Sequence, residues 1–118
     1  MYTYDAKVVR VVDGDSVWLE VDVGFHMSYK YNFRIAGINT PELRSKDPLE
    51  KEKAYAAKTR LEELLPVGQE VRVKTAKPGK YGRWLAIILL IEQNGEPPIR
   101  RPSINQIMLD EGHAQVYP

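Results

Sequence analysis

Four short stretches carry the side chains of this chain that could do chemistry: Asp13-Gly14-Asp15, Arg34, Asn39-Thr40-Pro41-Glu42 and Lys80-Tyr81-Gly82-Arg83. Taken singly each has an ordinary explanation, since Asp-Gly-Asp is a good turn, Pro-Glu a good loop, and Tyr-Gly a place for the chain to bend. Together they supply carboxylates, an amide oxygen, backbone carbonyls and two guanidinium groups. Hydrolysis of a phosphodiester demands that inventory. The diester is anionic and resists attack, and its pentacoordinate transition state gathers further negative charge on the nonbridging oxygens. A hard divalent ion on oxygen ligands and planar arginines donating paired hydrogen bonds are the cations suited to meet that charge. A carboxylate close to the ion can then orient or deprotonate water.

All four stretches fall where strands should begin or end. Ala6 to Val12 is rich in valine, Asp13-Gly14-Asp15 breaks it, and Ser16 to Val23 resumes with Val17, Leu19, Val21 and Val23 on one alternating face, which predicts a β-hairpin. Tyr29 to Ile38 reads as a third strand, with Tyr29, Tyr31, Phe33 and Ile35 alternating with Lys30, Asn32 and Arg34. Asp47, Pro48 and Glu50 set up a capping box for a helix that runs to Pro66, with Ala54, Ala57, Leu61, Leu64 and Leu65 on its buried stripe. Gln69 to Thr75 and Arg83 to Ile91 read as fourth and fifth strands, separated by a turn at Lys77-Pro78-Gly79-Lys80, and Asn94-Gly95 marks a turn after them. Ser103 with Gln106 caps a second helix that Gly112 stops. Three strands, a helix, two strands and a helix fit an α+β, mainly β chain: a five-stranded barrel of the oligonucleotide/oligosaccharide-binding (OB) type, with a helix between strands three and four and a C-terminal helix. A ferredoxin-like sandwich needs a helix after the first strand, and none is present.

Size and composition bound the alternatives. At 118 residues, 43% hydrophobic and 28% charged, the chain is expected to be one domain over 1–118, burying about two-thirds of its unfolded surface. With no cysteine there is no disulfide framework, thiolate zinc site or cysteine nucleophile. His26 and His113 lack ligand spacing, and no glycine pattern cradles a nucleotide. The longest apolar run, Trp84 to Ile91, is far below the ~20 residues that span a bilayer, and no signal peptide is evident. The address is left open between cytoplasmic and, if the chain is trimmed, secreted. The net charge of +1 hides an asymmetry: Arg72, Lys74, Lys77, Lys80 and Arg83 follow one another with no acid between, a field that attracts polyanions.

The segments Val11 to Val17, Phe33 to Glu42 and Lys80 to Ala86 resemble, in order, three motifs of the thermonuclease family, typified by staphylococcal nuclease. The resemblance extends from about Lys7 to Val116 and implies an OB-type barrel that cleaves DNA and RNA with one calcium ion, or another divalent ion, leaving 3′-phosphate ends. By position it implies that Asp15, Asn39 and the Thr40 carbonyl hold the ion. Glu42 is matched to the residue that positions or activates water, and Arg34 and Arg83 to those that hold the phosphate. Lys80, Tyr81 and Tyr117 are matched to nucleotide contacts. Two positions depart from the family. Asn39 stands where active relatives carry aspartate, keeping an oxygen but removing a charge, which lowers calcium affinity. Trp84 replaces a small residue.

The resulting expectation is a monomeric nuclease acting on DNA and RNA, single strands favoured, with little sequence preference and no membrane partner. The competing reading is a catalytically weakened module that binds nucleic acid or a protein partner over Arg72 to Arg83, with Asn39 as its support. An appended structural domain of a larger machine is a third.

Overall fold

Alternation in the first forty residues becomes two long strands joined by the Asp13-to-Ser16 turn. In the computed structural model, which describes residues 2–76, 83–91 and 102–117, the elements are β1 (Tyr2–Asp13), β2 (Ser16–Gly24), β3 (Met27–Ile35), β4 (Ile38–Asn39), α1 (Pro48–Leu64), β5 (Glu70–Ala76), β6 (Leu85–Leu90), α2 (Ile104–Asp110) and β7 (Gln115–Val116). Five of these strands close a barrel in the order β1-β2-β3-β6-β5, with β1 returning to pair antiparallel with β5 from Tyr2↔Thr75 to Lys7↔Glu70. Closure removes the open edges. The one parallel contact, β3 with β6, is short and places Arg34 opposite Leu85. The expected OB-type barrel with two helices is therefore the fold.

Inward-facing Val8, Val11, Val17, Leu19, Phe33, Ile35, Val71, Val73 and Ile88 fill the barrel, and Leu61, Leu65, Ile104 and Met108 from the helices plug it. α1 uses the stripe read from sequence, with Ala54, Ala57 and Leu61 buried. Trp84 packs partly buried against the same core, a packing substitution for the small residue.

Three expectations need correction. The third strand ends at Ile35, because Gly37 adopts a left-handed φ of 76° and turns the chain. Ile38 and Asn39 then pair with Val116 and Gln115 as a separate two-stranded sheet, so the described strands number seven rather than five. The capping boxes are incomplete. Ser103 accepts from Gln106 N, but the Gln106 side chain donates to Asp110; Asp47 accepts from Leu49 N, while Glu50 accepts from Ser45 Oγ, which itself accepts from Asp47 N. The 77–80 and 94–95 turns lie outside the described residues.

Buried Asn105 ties α2 to the barrel: its Nδ2 donates to Ala36 O (2.7 Å) and Ala86 O (3.2 Å), and its Oδ1 accepts from Ile88 N (3.1 Å). At the other end of α2, Arg60 of α1 donates to both carboxylate oxygens of Glu111 at 2.6 and 2.8 Å. No described helix is long and apolar enough to cross a membrane.

Candidate active site

The β1–β2 turn, the end of β3, the 38–42 loop and the start of β6 meet at one corner of the barrel. Register explains why. Ser16 is paired with Arg34, Asp15 O accepts from Ile35 N (2.8 Å), and Arg34 N donates to Trp84 O (3.0 Å), so residues distant in sequence become neighbours through backbone bonds alone. Gly14 is required at the bend: a Cβ there would sit 2.9 Å from Ala57 Cβ and from Thr40 Cγ2 and Oγ1. The corner holds a small cleft of about 170 Å³ lined by Asp13, Asp15, Ser16, Arg34, Thr40, Pro41, Glu42 and Arg83.

Asp15 is the buried hub. Its Oδ2 accepts from Arg34 Nη1 (3.2 Å) and from Thr40 N (3.2 Å), and Arg34 continues through Nη2 to Ile38 O (3.1 Å) and Asn39 Oδ1 (3.5 Å). Arg34 is thus fully engaged with the residues that would hold a cation. Its guanidinium also lies 5.0 Å from the ring centre of half-exposed Tyr117, which the β4–β7 pair brings to this side. Arg83 is held differently. Its Nη2 donates to Ser16 Oγ (2.7 Å) and Asn32 Oδ1 (3.3 Å), whereas its Nε is buried with no protein partner among the described residues. An N–H so placed is costly unless an anion meets it.

Burial pushes the Asp13 carboxyl up to about 6, and the adjacent Asp15, by side-chain hydrogen bond and by charge, pushes the same way; only the hydrogen bonds Asp13 accepts, from Asp15 N (3.1 Å) and Ser16, oppose them. A nearby cation would oppose that rise. The donors here are oxygens of the hard class: the Asp15 carboxylate, Asn39 Oδ1 and the Thr40 carbonyl. Among the described residues no group of three or more acidic or histidine side chains is placed to hold a metal, so the set fits a divalent ion only as part of a shell that water or a phosphate oxygen completes. Exposed Glu42 borders both this cleft and a second hollow of about 540 Å³ between the 39–42 loop, α1 and the turn after α2.

Of the residues singled out in the sequence, Asp15, Arg34, Asn39, Thr40, Glu42, Arg83 and Tyr117 come to this corner; Lys80 and Tyr81 lie outside the described residues. The basic run from Arg72 is weaker than its composition suggests, since Arg72 Nε donates to Asp5 Oδ1 (3.1 Å) across the β1–β5 pair. Sequence reasoning passed over Ser16 and Asn32, the two supports of Arg83. Extending the hairpin register would have found Ser16 opposite Arg34.

An uncharacterised protein of Methanocaldococcus jannaschii is 32% identical to 97% of this chain, which spans 59% of that relative's length. The model of the family described as staphylococcal nuclease homologue matches residues 32–118, the stretch that contains Arg34, Asn39, Thr40, Glu42 and Arg83. Asp15 precedes the matched stretch but is bonded to Arg34 and Thr40 inside it, and on this match the chain belongs to the staphylococcal nuclease homologue family.

Proposed function

We propose that this chain is one domain over 1–118 that hydrolyses phosphodiester bonds of DNA and RNA, favouring single strands, with calcium as the metal and 3′-phosphate ends as product. The observation that carries the reading is the convergence of two aspartates, Glu42, Arg34 and Arg83 on one small cleft, although their stretches are far apart in the sequence. β1 and β2, which complete the barrel and hold Asp15 in the turn between them although the family match begins at residue 32, support the one-domain reading.

Calcium, when bound through Asp15, Asn39 and the Thr40 carbonyl, would supply a Lewis acid for the phosphoryl oxygens. The other work falls to the chain. Arg83, held by Ser16 and Asn32, offers its guanidinium to charge that grows in the transition state. Arg34 holds the Asp15 carboxylate and the 38–39 backbone in place. Exposed Glu42 has access to water on the open side and serves as its general base. Tyr117, beside Arg34, contacts the nucleotide, as Lys80 and Tyr81 do in this reading.

The competing reading, a binding module that has lost catalysis, is favoured by Asn39, which leaves the proposed ion one charge short. One experiment separates them: digestion of denatured DNA by the purified protein across a calcium titration, with a chelator control and Glu42→Gln. Calcium-dependent cleavage that falls about 10²–10⁴-fold in Glu42→Gln supports the nuclease. Binding without cleavage at any calcium concentration decides for the module. Asn39→Asp in the same titration should shift half-maximal activity to lower calcium; an unmoved titration would show that residue 39 does not touch the ion.

A further inference from the structure

The two arginines of the cleft have their charges met in different ways. Arg34 is ion-paired with Asp15 at 3.2 Å, and its remaining bonds go to Ile38 O and Asn39 Oδ1, so its charge is answered inside the protein. Arg83 rests on neutral groups. Its Nη2 donates to Ser16 Oγ (2.7 Å) and Asn32 Oδ1 (3.3 Å), and among the described residues no carboxylate is ion-paired with it.

Both arrangements come from one strand. Phe33 and Ile35 are buried in the barrel, so alternation puts Asn32 and Arg34 together on the other face of β3. Ser16 stands opposite Arg34 across the β2–β3 pair and is thus the diagonal neighbour of Asn32, while Arg34 N donates to Trp84 O (3.0 Å) and ties the residue next to Arg83 to the same strand. A hydroxyl and an amide oxygen hold a guanidinium without cancelling its charge. A carboxylate in either place would bond more strongly and neutralise it. Ser16 is buried and Asn32 partly buried, where water screens such a charge less than at the open surface. Since asparagine and aspartate have the same shape, what residue 32 decides is charge.

We infer that Asn32, together with Ser16, is a positioning residue that works by being a neutral acceptor: it holds the Arg83 guanidinium at the cleft and leaves its positive charge to a phosphate. The inference rests on the nuclease reading for the reaction it serves, and its phosphate-binding part stands apart from that reading. Asn32 acts through Arg83 and touches no reacting atom. A residue kept for folding alone would respond in the opposite order, because Asn32→Asp retains an acceptor of the same shape and Asn32→Leu does not.

The test compares Asn32→Asp with Asn32→Leu by melting temperature, by steady-state cleavage of denatured DNA in calcium, and by titration with inorganic phosphate in chelator. The phosphate titration is followed by NMR at the Arg83 Nε–H, assigned by its loss in Arg83→Ala. Asn32→Asp should melt at or above wild type, yet lower kcat about 10²-fold with KM within a few-fold, and weaken phosphate binding about tenfold. Asn32→Leu loses one of two supports and keeps the charge, so kcat should fall by less than about tenfold and phosphate affinity should stay within a few-fold. Placed in Arg83→Ala, Asn32→Asp should add little, because the pair acts as a unit. Wild-type kcat and phosphate affinity in Asn32→Asp overturn the inference whatever Asn32→Leu does, and so does a full further loss on top of Arg83→Ala. If wild type cleaves nothing, the nuclease reading falls and the phosphate titration decides alone: weaker binding in Asn32→Asp than in wild type upholds the neutral support, and equal binding removes it.

Discussion

The two mouths of the barrel are built from the same strands and could hardly differ more. At one, β3 contributes Arg34 to a cleft of about 170 Å³ whose lining is polar and cross-bonded. Toward the other, β3 contributes Tyr29 and Phe33 to a groove of about 240 Å³ shared with Tyr2, Tyr4, Val21, Val23 and Trp84. Tyr29 stacks on Tyr31 at 5.9 Å, and Tyr31 meets Phe33 edge-on at 5.3 Å. The aromatic groove is the larger and has no charged group in its wall. What distinguishes the cleft is chemistry rather than room: two adjacent carboxyls, an engaged arginine and an arginine with one buried N–H that has no partner among the described residues. Apolar surface at the rim of a barrel is common, while a buried orphan donor is not.

The sharpest break of that comparison is Arg83→Ala. Under the proposed reaction it removes a donor aimed at developing charge, and turnover on denatured DNA should fall by about 10³ with a much smaller change in binding. Tyr29→Ser, at the aromatic mouth, should leave turnover within twofold. Equal losses from the two variants would mean that the cleft has no special part in the chemistry. Arg34→Ala should differ from both, because it strips Asp15 of its ion pair at 3.2 Å and frees the 38–39 backbone. It should lower melting temperature as well as turnover.

The barrel was legible in the sequence because period-two alternation in 16–23 and 29–35 states which face is buried, the valine-rich 6–12 stretch supplies a partner strand, and the Ala-Leu stripe of α1 marks its buried face with helical spacing. The site was legible only as types of residue. Nothing local in Asp15 or Arg34 shows that they meet; the β1–β2–β3 register and the β3–β6 contact bring them together. Asn105, alone in its polarity on the buried side of α2, gives no sign in sequence that it will satisfy Ala36, Ala86 and Ile88 at once. The short β4–β7 pair was hidden because two-residue strands carry no period, and the third strand was read straight through Gly37 to Ile38.

Gly14 tests how tightly the cleft depends on packing behind it. In Gly14→Ala the new methyl meets Ala57 and Thr40 at 2.9 Å, and neither is the free end of a long side chain. Either α1 or the Thr40 loop must move. The expected cost is about 1–3 kcal/mol, seen as a fall in melting temperature of several degrees. Thr40 N is bonded to Asp15, so displacement of this loop should also weaken the proposed calcium binding, whereas a cavity-neutral change at the aromatic mouth such as Tyr29→Phe should do neither.

The smallest effect expected is at the exposed Arg60–Glu111 pair, which joins α1 to the end of α2. The hydrogen bond from Arg60 holds the Glu111 carboxyl below the ordinary glutamate value of 4.5, with the Arg60 and His113 charges acting in the same direction. A carboxyl depressed in the folded state contributes stability that is present above its unfolded value and is lost as pH falls through its folded one. Both side chains are exposed enough for solvent to screen the pair, so the contribution is slight. The melting-temperature difference between wild type and Glu111→Gln should therefore be small and constant from pH 8 to about 5.5, shrink through the acid range and vanish below it. A difference that grew on acidification would place the stabilising charge elsewhere. A large one at neutral pH would mean that this pair, rather than the Asn105 bonds and the buried stripe, anchors α2 to the rest of the molecule.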